Sequence, residues 1–350
     1  MVEAGIIVSR FLHFTATLIL FGISIFPLYT YRGSVGAAHM QIHRSLYAIA
    51  WWAASAALLS AAFWLAGVNA NMTGSLEGAL NPNVAWSVLS GTSFGRVWTA
   101  RFILVSVILL LLTARMNPLP YQRLLPVLCG GLLGSLASVG HTQIEDGITC
   151  FVHVVTDGLH LLAAGAWLGG LVSLFYIVAR ESCSASPNGG AEATQAALRF
   201  SSLGYIVVAT LIGTGLINSW YLVGPFANLT TPYGQLLMLK LALFAGMLGL
   251  AALNRFLLVP KLINANEFGG RAAAIAKLRR HIIGEQVLGV LIVMIVSALG
   301  TTEPPINLAL GDKIRASPIV MAGSGIGHGL SVSGRLVEHV IKWVSGRCQT

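Results

Sequence analysis

The chain has 350 residues, of which 55% are hydrophobic and 9% are charged, and its formal net charge is +9. Soluble proteins carry about 25% charged residues, so this composition excludes an ordinary soluble domain. A membrane-spanning helix needs about 20 mostly apolar residues, whereas a membrane barrel needs alternating strands of about 10 residues, which are not found along the sequence. We therefore predict an all-α, polytopic membrane protein surrounded by lipid.

Eight segments are long and apolar enough to be transmembrane helices. They cover residues 5–28, 43–68, 95–114, 123–141, 149–179, 199–224, 234–258 and 282–300. Residues 1–305 thus form one predicted transmembrane domain. Residues 306–350 form a C-terminal tail, for which the sequence predicts little order and no role.

Basic residues are unevenly distributed between the connections. They are abundant after spans 1, 3, 5 and 7, whereas the connections after spans 2, 4 and 6 contain no Lys or Arg before Arg96. The positive-inside rule therefore places both termini on the outer, periplasmic side. Nucleic-acid binding is not indicated, because no soluble basic face with interleaved aromatics is visible. A phosphate-binding G-x-x-x-x-G-K-[ST] loop is absent, so nucleotide binding is not predicted either.

Spans 3 and 7 begin with similar motifs. Thr92-Ser-Phe-Gly95 is followed by Arg101 six residues after the glycine, and Thr231-Pro-Tyr-Gly234 is followed by Lys240 at the same distance. The similarity predicts that these two spans are equivalent parts of an internal repeat.

Spans 1 and 5 also match each other. His13 precedes Gly22 by nine residues, and His160 precedes Gly169 by nine residues. The two matches together predict repeats over 1–141 and 149–300, each with four spans. Since four is even, the repeats should have the same orientation, as in parallel-repeat transporters.

A polar stripe marks the beginning of span 5. His153, Asp157 and His160 fall within about 60° of one another around a helix and extend over about 10 Å along it. An aspartate at the centre of a transmembrane helix costs about 2.5 to 3.5 kcal/mol, so an ionisable residue there indicates a functional site. A single histidine in such a place is more often a satisfied packing contact, but four of them on one side favour function.

The other polar residues of the spans are expected in the same outer half of the membrane. Counted from the outer end of its span, His13 lies about 12 Å deep, and His141 closes span 4 at the outer mouth. Three basic residues are assigned supporting, charge-pairing roles: Arg10, Arg101 and Lys240. We expect Arg10 to pair with Asp157, because the predicted repeat places them opposite each other.

The side chains of this polar region suit a transition metal. The candidate ligands are His13, His141, His153, Asp157 and His160. Imidazole binds copper, zinc and iron, while sulfur ligands favour Cu(I), so Cys150 and Met238 are possible soft ligands. The four cysteines do not form a C-x-x-C motif, and their spacing predicts neither a zinc site nor a disulfide framework.

Residues that carry a family resemblance occur in a fixed order through all eight spans. They are Arg10-Phe-Leu-His13, Thr92-Ser-Phe-Gly95 with Trp98 and Arg101, Gly140-His141, His160 with Trp167-Leu-Gly-Gly170, Phe200-Ser201, Thr214-Gly215, Tyr233-Gly234 with Lys240, and Asn254-Arg255. Over about 1–305 the chain resembles the copper resistance protein D (CopD) family of bacterial inner-membrane proteins. The resemblance implies a non-enzymatic protein that moves copper from the periplasm inward, together with a periplasmic copper-binding protein.

Three hypotheses follow. In the first, copper enters at His141 and His153 and passes to a site formed by His13, Asp157 and His160. In the second, the chain is a b-type haem protein for electron transfer, with His13 and His160 as axial ligands, because two histidines at similar depth meet that requirement. In the third, the polar region only docks a periplasmic copper protein, and the chain is a non-transporting assembly subunit.

Overall fold

A computed structural model describes residues 2–30, 37–114, 118–139, 147–182, 191–223, 229–264 and 268–302, and the elements in these ranges are all helical. The α-helices are α1 (Val2–Thr30), α2 (Ala37–Thr73), α3 (Pro82–Gly91), α4 (Ser93–Thr113), α5 (Pro118–Gly134), α6 (Gly147–Ser182), α7 (Ala191–Val223), α8 (Pro232–Leu253), α9 (Val259–Asn264) and α10 (Phe268–Leu299). Short 3₁₀ helices cover Glu77–Leu80 and Ser135–Val139, and a π-helical turn covers Asn254–Leu258. The all-α prediction is confirmed.

Seven helices of the described part are long and apolar enough to cross a membrane. They are Val2–Thr30, Arg44–Thr73, Ser93–Thr113, Cys150–Glu181, Glu192–Tyr221, Pro232–Ile263 and Gly270–Leu299. The chain is therefore a multi-pass membrane protein. The predicted span 123–141 corresponds to a shorter apolar helix, Leu124–Val139. It contains Pro126 and ends as a 3₁₀ helix, so an eighth crossing stays a prediction.

Helices α1 and α6 form the centre of the bundle, and both pack against α5 and α10. The two central helices cross at glycines, where the backbone of Gly22 touches that of Gly169. A Cβ atom on Gly169 would collide with the carbonyl oxygen of Leu18, so only hydrogen fits at this crossing. Small residues allow such close approach between membrane helices.

Peripheral helices pack differently on the two sides of this centre. Helix α2 covers α1 and also packs on α4, where Trp98 donates a hydrogen bond from Nε1 to the carbonyl oxygen of Ala61 at 3.0 Å. Helix α7 covers α6, but among the described residues α7 and α8 make no comparable contact. Among the described residues the bundle is therefore closely packed between α2 and α4 but less closely between α7 and α8, where contact is made through the continuation of α8 at Arg255 and α9.

Helices α4 and α8 begin in the same way. Thr92 accepts a hydrogen bond from the backbone N–H of Gly95 at 2.9 Å, and Thr231 accepts one from Gly234 at 3.1 Å. A threonine hydroxyl in this position satisfies one of the free N–H groups at a helix start. The two sequence motifs therefore have the same local structure, and each one fixes where the following basic residue sits on its helix.

Candidate functional site

His13 lies in a closed contact between α1, α2 and α4 and is 1% exposed. Its Nδ1 is 3.0 Å from both the Ala57 carbonyl oxygen and the Ser60 hydroxyl. The Ser60 hydroxyl donates its own hydrogen to the Ala56 carbonyl at 2.6 Å, so it accepts from His13. Nδ1 therefore carries the proton, and the lone pair of the ring is on Nε2.

Arg101 covers that lone pair. Its guanidinium donates to His13 Nε2 and to the carbonyl oxygen of Leu132, the latter at 2.6 Å. The guanidinium is 2% exposed and stacks on Trp98, with 5.3 Å between the Arg101 Cζ and the ring centroid. Both ring nitrogens of His13 are thus occupied, and in this arrangement neither is available to copper or to a haem iron.

His160 on α6 makes the corresponding contact through Nδ1, but the surroundings of its second ring nitrogen differ. Nδ1 is 2.8 Å from the Thr214 hydroxyl of α7. Because Thr214 donates to the Thr210 carbonyl at 2.6 Å, it accepts from His160, and Nδ1 again carries the proton. The lone pair is therefore on Nε2, where the described residues provide no hydrogen bond like that of Arg101.

Asp157 lies one turn from His160 and has partners on α6, α7 and α8. Asn218 of α7 donates an amide hydrogen bond to its carboxylate at 3.2 Å. Lys240 of α8 and His153 of α6 also act electrostatically on the carboxylate, which in turn acts on Tyr233 of α8. Lys240 also acts on His160. The structure thus brings an imidazole, a carboxylate and an ammonium group together where α6, α7 and α8 meet.

His153 lies one turn nearer the beginning of α6 and is 3% exposed. Its ring stacks on Tyr221 of α7, with 5.0 Å between the centroids and 17° between the planes. The stripe of His153, Asp157 and His160 therefore faces α7 and α8.

Arg10 does not pair with Asp157 in the described residues. Its guanidinium stacks over Trp64 of α2, with 4.8 Å between Cζ and the ring centroid, and it lies against Gly300 after α10. The basic group whose charge acts on Asp157 is Lys240 instead. The repeat predicted from the sequence would place Arg10 and Asp157 in equivalent positions, and equivalent positions need not be adjacent.

The other candidate ligands are dispersed. His141 is outside the described residues, and the described part holds no group of three His, Cys, Asp or Glu close enough to bind one metal ion. Met238 is 48% exposed on the outside of α8. Cys150 is disulfide-bonded, so thiolate ligation there would first require reduction of that bond.

A second buried polar cluster, around Glu285, was not predicted from the sequence. Glu285 of α10 is 2% exposed and accepts hydrogen bonds from Trp167 of α6 and from Asn254 of the π-helical turn. Asn254 in turn accepts a hydrogen bond from His281. The signal was present, since Glu285 is an acidic residue within a predicted span and such residues indicate function.

Comparison with known proteins assigns the family. Residues 1–151 match the model of the copper resistance protein D-like N-terminal domain, and residues 194–299 match the copper resistance protein D model. The inner membrane protein YebZ of Escherichia coli (strain K12) is 31% identical over 309 residues, which are 85% of this chain and 98% of that protein. The chain belongs to the CopD family.

Two further family members carry copper in their names. Copper resistance protein D of Pseudomonas syringae pv. tomato is 29% identical over 87% of this chain and 98% of its own length. Copper transport protein CutJ of Bacillus subtilis (strain 168) is 29% identical over 73% of this chain and 47% of its own length. No solved structure matches the chain.

Proposed function

We propose that this CopD-family protein transports copper through the bacterial inner membrane, from the periplasm toward the cytoplasm, without catalysing a reaction. The observation that carries the proposal is the Nε2 lone pair of His160, to which no described residue donates a hydrogen bond, one helical turn from Asp157. Imidazole and carboxylate together form a donor set that copper accepts. The names of two relatives, a copper resistance protein and a copper transport protein, support copper as the cargo.

The copper site is proposed on the second half of the chain. His160 and Asp157 are its central ligands, His153 and His141 are entrance residues, and Lys240 balances the Asp157 charge while copper is absent. An arriving copper ion replaces Lys240 as the counter-charge. His13 has a structural role in this proposal, because Arg101 occupies its free nitrogen.

Access to the site follows from the separation of α7 and α8. The polar stripe of α6 faces these two helices, which do not close over it as α2 and α4 close over His13. Copper therefore enters between α7 and α8, delivered by a periplasmic copper-binding protein. The distribution of basic residues supports this orientation, with both termini in the periplasm.

The two halves are proposed to be parallel repeats. In each half, a histidine donates a hydrogen bond from Nδ1 to a hydroxyl of the next helix. The basic residue six positions after the glycine of the Thr-capped helix, Arg101 or Lys240, acts on that histidine. Equivalent residues of two such repeats lie next to each other where the two-fold axis passes between them. Gly22 and Gly169 are equivalent in the predicted repeat, and they touch. The copper site is then one of two related sites, and its partner has been closed by arginine.

Copper accumulation tests the proposal. Cells that express the wild type should accumulate copper. Copper accumulation should be at least about tenfold lower in cells that express His160→Gln or Asp157→Asn, because each variant loses one proposed ligand and keeps a side chain of similar shape. Copper content is measured by mass spectrometry at equal membrane levels of each variant. Met238→Leu is the matched control, since it removes an exposed sulfur from α8 and should leave accumulation unchanged.

Two results would contradict the proposal. Equal accumulation by wild type and His160→Gln would exclude the site. A lower copper content in wild-type cells than in cells without the protein would exclude inward transport.

A further inference from the structure

The cluster around Glu285 connects three helices near the middle of the bundle. Trp167 donates from Nε1 to Glu285 Oε2 at 3.1 Å, and Asn254 donates from Nδ2 to Oε1 at 2.7 Å. The Nδ1–H of His281 donates to Asn254 Oδ1 at 2.8 Å. Each carboxylate oxygen thus receives one hydrogen bond from a neutral group, and an amide links the carboxylate to a partly exposed imidazole.

Basic side chains near this cluster are directed elsewhere. Arg255, next to Asn254, donates to the Ser201 hydroxyl at 2.8 Å and stacks over Tyr205, both on α7. On α9, Lys261 is exposed. Among the described residues, the hydrogen bonds to Glu285 therefore come from Trp167 and Asn254 and not from a basic group.

Other titratable groups on the packed helices include Asp157, His160 and Lys240 of the proposed copper site, and the basic residues nearer His281. On α10 itself, Lys277 and Arg280 act electrostatically on His281. Helix α1 presents Tyr29 beside Gly170 and, at the opposite end, Arg10 beside Gly300. His281 is therefore the titratable group that is connected to Glu285 through a chain of hydrogen bonds.

The helices joined by Glu285 are those that carry the proposed copper site. Trp167 follows His160 by two turns of α6, and Asn254 follows Lys240 by about four turns of α8. Asn254 also begins the π-helical turn that extends α8, and such turns occur often at functional sites. A shift of α8 relative to α6 at one site is therefore transmitted to the other.

We propose that Glu285 is a proton-binding site linked to copper transport, a proposal that rests on the function proposed above. A proton from the inner aqueous phase, exchanged by way of His281, binds a carboxylate oxygen of Glu285 and later returns to the same phase. The ionised carboxylate holds α6, α8 and α10 together, because hydrogen bonds to a charged acceptor are about twice as strong as neutral ones. Protonation weakens these bonds and lets α8 move against α6.

Linkage is reciprocal, so copper bound at Asp157 and His160 must also change proton binding at Glu285. The purified full chain in liposomes tests this linkage, with Cu(I) as the probe, an imposed pH difference, and the membrane potential held at zero. Because the proton returns to the phase from which it came, the pH of that phase should change the initial rate of copper entry by up to about tenfold per unit and leave the final copper level unchanged. Glu285→Gln should still equilibrate copper but lose the response to pH.

Glu181→Gln is the matched control. Glu181 lies near the C-terminal end of α6, far from Asp157 at the other end. Its carboxylate accepts hydrogen bonds from the backbone N–H groups of Glu192 and Ala193 at the start of α7. Its amide variant should keep the full response to pH. A second control, Met238→Leu, checks that reconstitution of a variant does not by itself remove coupling.

Infrared difference spectra provide an independent readout. Adding Cu(I) to the purified protein should change a carboxyl band that is absent from Glu285→Gln and present in Glu181→Gln. Copper transport by wild type without a pH response, or a retained response in Glu285→Gln, would overturn the proton site and leave the copper site intact. If wild type moves no copper, the proposed function fails, and an unchanged carboxyl band would then overturn the linkage as well.

Discussion

Two histidines with the same sequence surroundings differ in what covers their Nε2 atom. Both His13 and His160 donate from Nδ1 to a hydroxyl on the next helix. Arg101 donates to the free nitrogen of His13, whereas Lys240 acts electrostatically on both His160 and Asp157. A guanidinium forms several fixed hydrogen bonds, while an ammonium on a flexible stem is easily displaced. This difference is why His160, and not His13, is the proposed copper ligand.

The hydroxyl of Thr214 should control how well His160 binds copper. Thr214→Val removes the acceptor that fixes Nδ1–H, so the ring loses its orientation, and such losses typically reduce metal affinity about 10- to 100-fold. Copper titration of the purified protein measures the change. Thr210→Val is the control, since that hydroxyl bonds to the Ile206 carbonyl within its own helix at 2.8 Å.

Thr214→Ser should restore binding, because serine keeps the acceptor oxygen. Unchanged copper affinity in Thr214→Val would show that the hydroxyl does not position His160.

The sequence predicts which residues are polar within the membrane, but it does not predict their partners. The stripe of His153, Asp157 and His160 was recognisable from helical spacing alone. The occupation of His13 by Arg101, 88 positions later, depends on how α1, α2 and α4 pack. Glu285 was equally visible as an acidic residue in a span, yet its role depends on partners from two other helices.

At the scale of helices, the contact between α1 and α6 depends on the absence of side chains. Gly22 and Gly169 touch through their backbones, and Gly165 lies one turn away against Leu133 and Phe21. Without a hydrophobic effect between helices in lipid, such close packing is a main source of association. The crossing therefore fixes the distance between the two halves.

Gly169→Ala should destabilise the protein, although alanine is the better helix former. The added Cβ meets the Leu18 carbonyl and the Gly22 backbone, which cannot move away, and overpacking costs about 1–3 kcal/mol. Gly213→Ala on α7 is the control, because a Cβ there meets nothing within 4 Å and alanine gains about 0.5–1 kcal/mol of helix stability.

Thermal unfolding in detergent should thus show opposite shifts for the two glycine variants, downward for Gly169→Ala and neutral or upward for Gly213→Ala. A tolerated alanine at 169 would contradict the direct backbone contact.

The helices themselves were largely predictable, because hydropathy determines where a chain can cross lipid. Seven of the eight predicted segments correspond to helices that are long and apolar enough. The segment 123–141 differs, since it ends as a 3₁₀ helix over Ser135–Val139, where the Ser135 hydroxyl accepts a hydrogen bond from the distant Arg101. Helix pairing, such as the closure of α2 on α4, depends on contacts between distant residues and could not be read from hydropathy.

The whole molecule is asymmetric although its halves share motifs. One half is sealed by aromatic rings, since Trp64 and Trp98 both pack against His13 with centroid distances of 5.9 and 5.8 Å. In the other half, the polar groups of α6 face α7 and α8, which pack less closely against each other. The proposed copper transport needs only one path, and a second path closed at His13 would prevent leakage.

This asymmetry predicts different chemical accessibility next to the two polar sites. Asn218 is partly exposed and bonds to Asp157, whereas Ser60 of α2 is 3% exposed where it contacts His13 of α1. In a chain whose native cysteines are replaced, Asn218→Cys should react with a membrane-impermeant thiol reagent at least about tenfold faster than Ser60→Cys, since thiol reactions depend on access. The reagent is added to the outer face of spheroplasts, and labelling is followed by mass spectrometry.

Copper should slow the labelling of Asn218→Cys, because the ion occupies the space beside Asp157, and it should leave Ser60→Cys unchanged. Labelling of Asn218→Cys only from the cytoplasmic face would reverse the proposed orientation and with it the direction of entry. Equal labelling rates at the two positions would show that α7 and α8 close over the site in the membrane as α2 and α4 do. An opening between α7 and α8 would then have to be formed by a movement that copper or its periplasmic carrier induces.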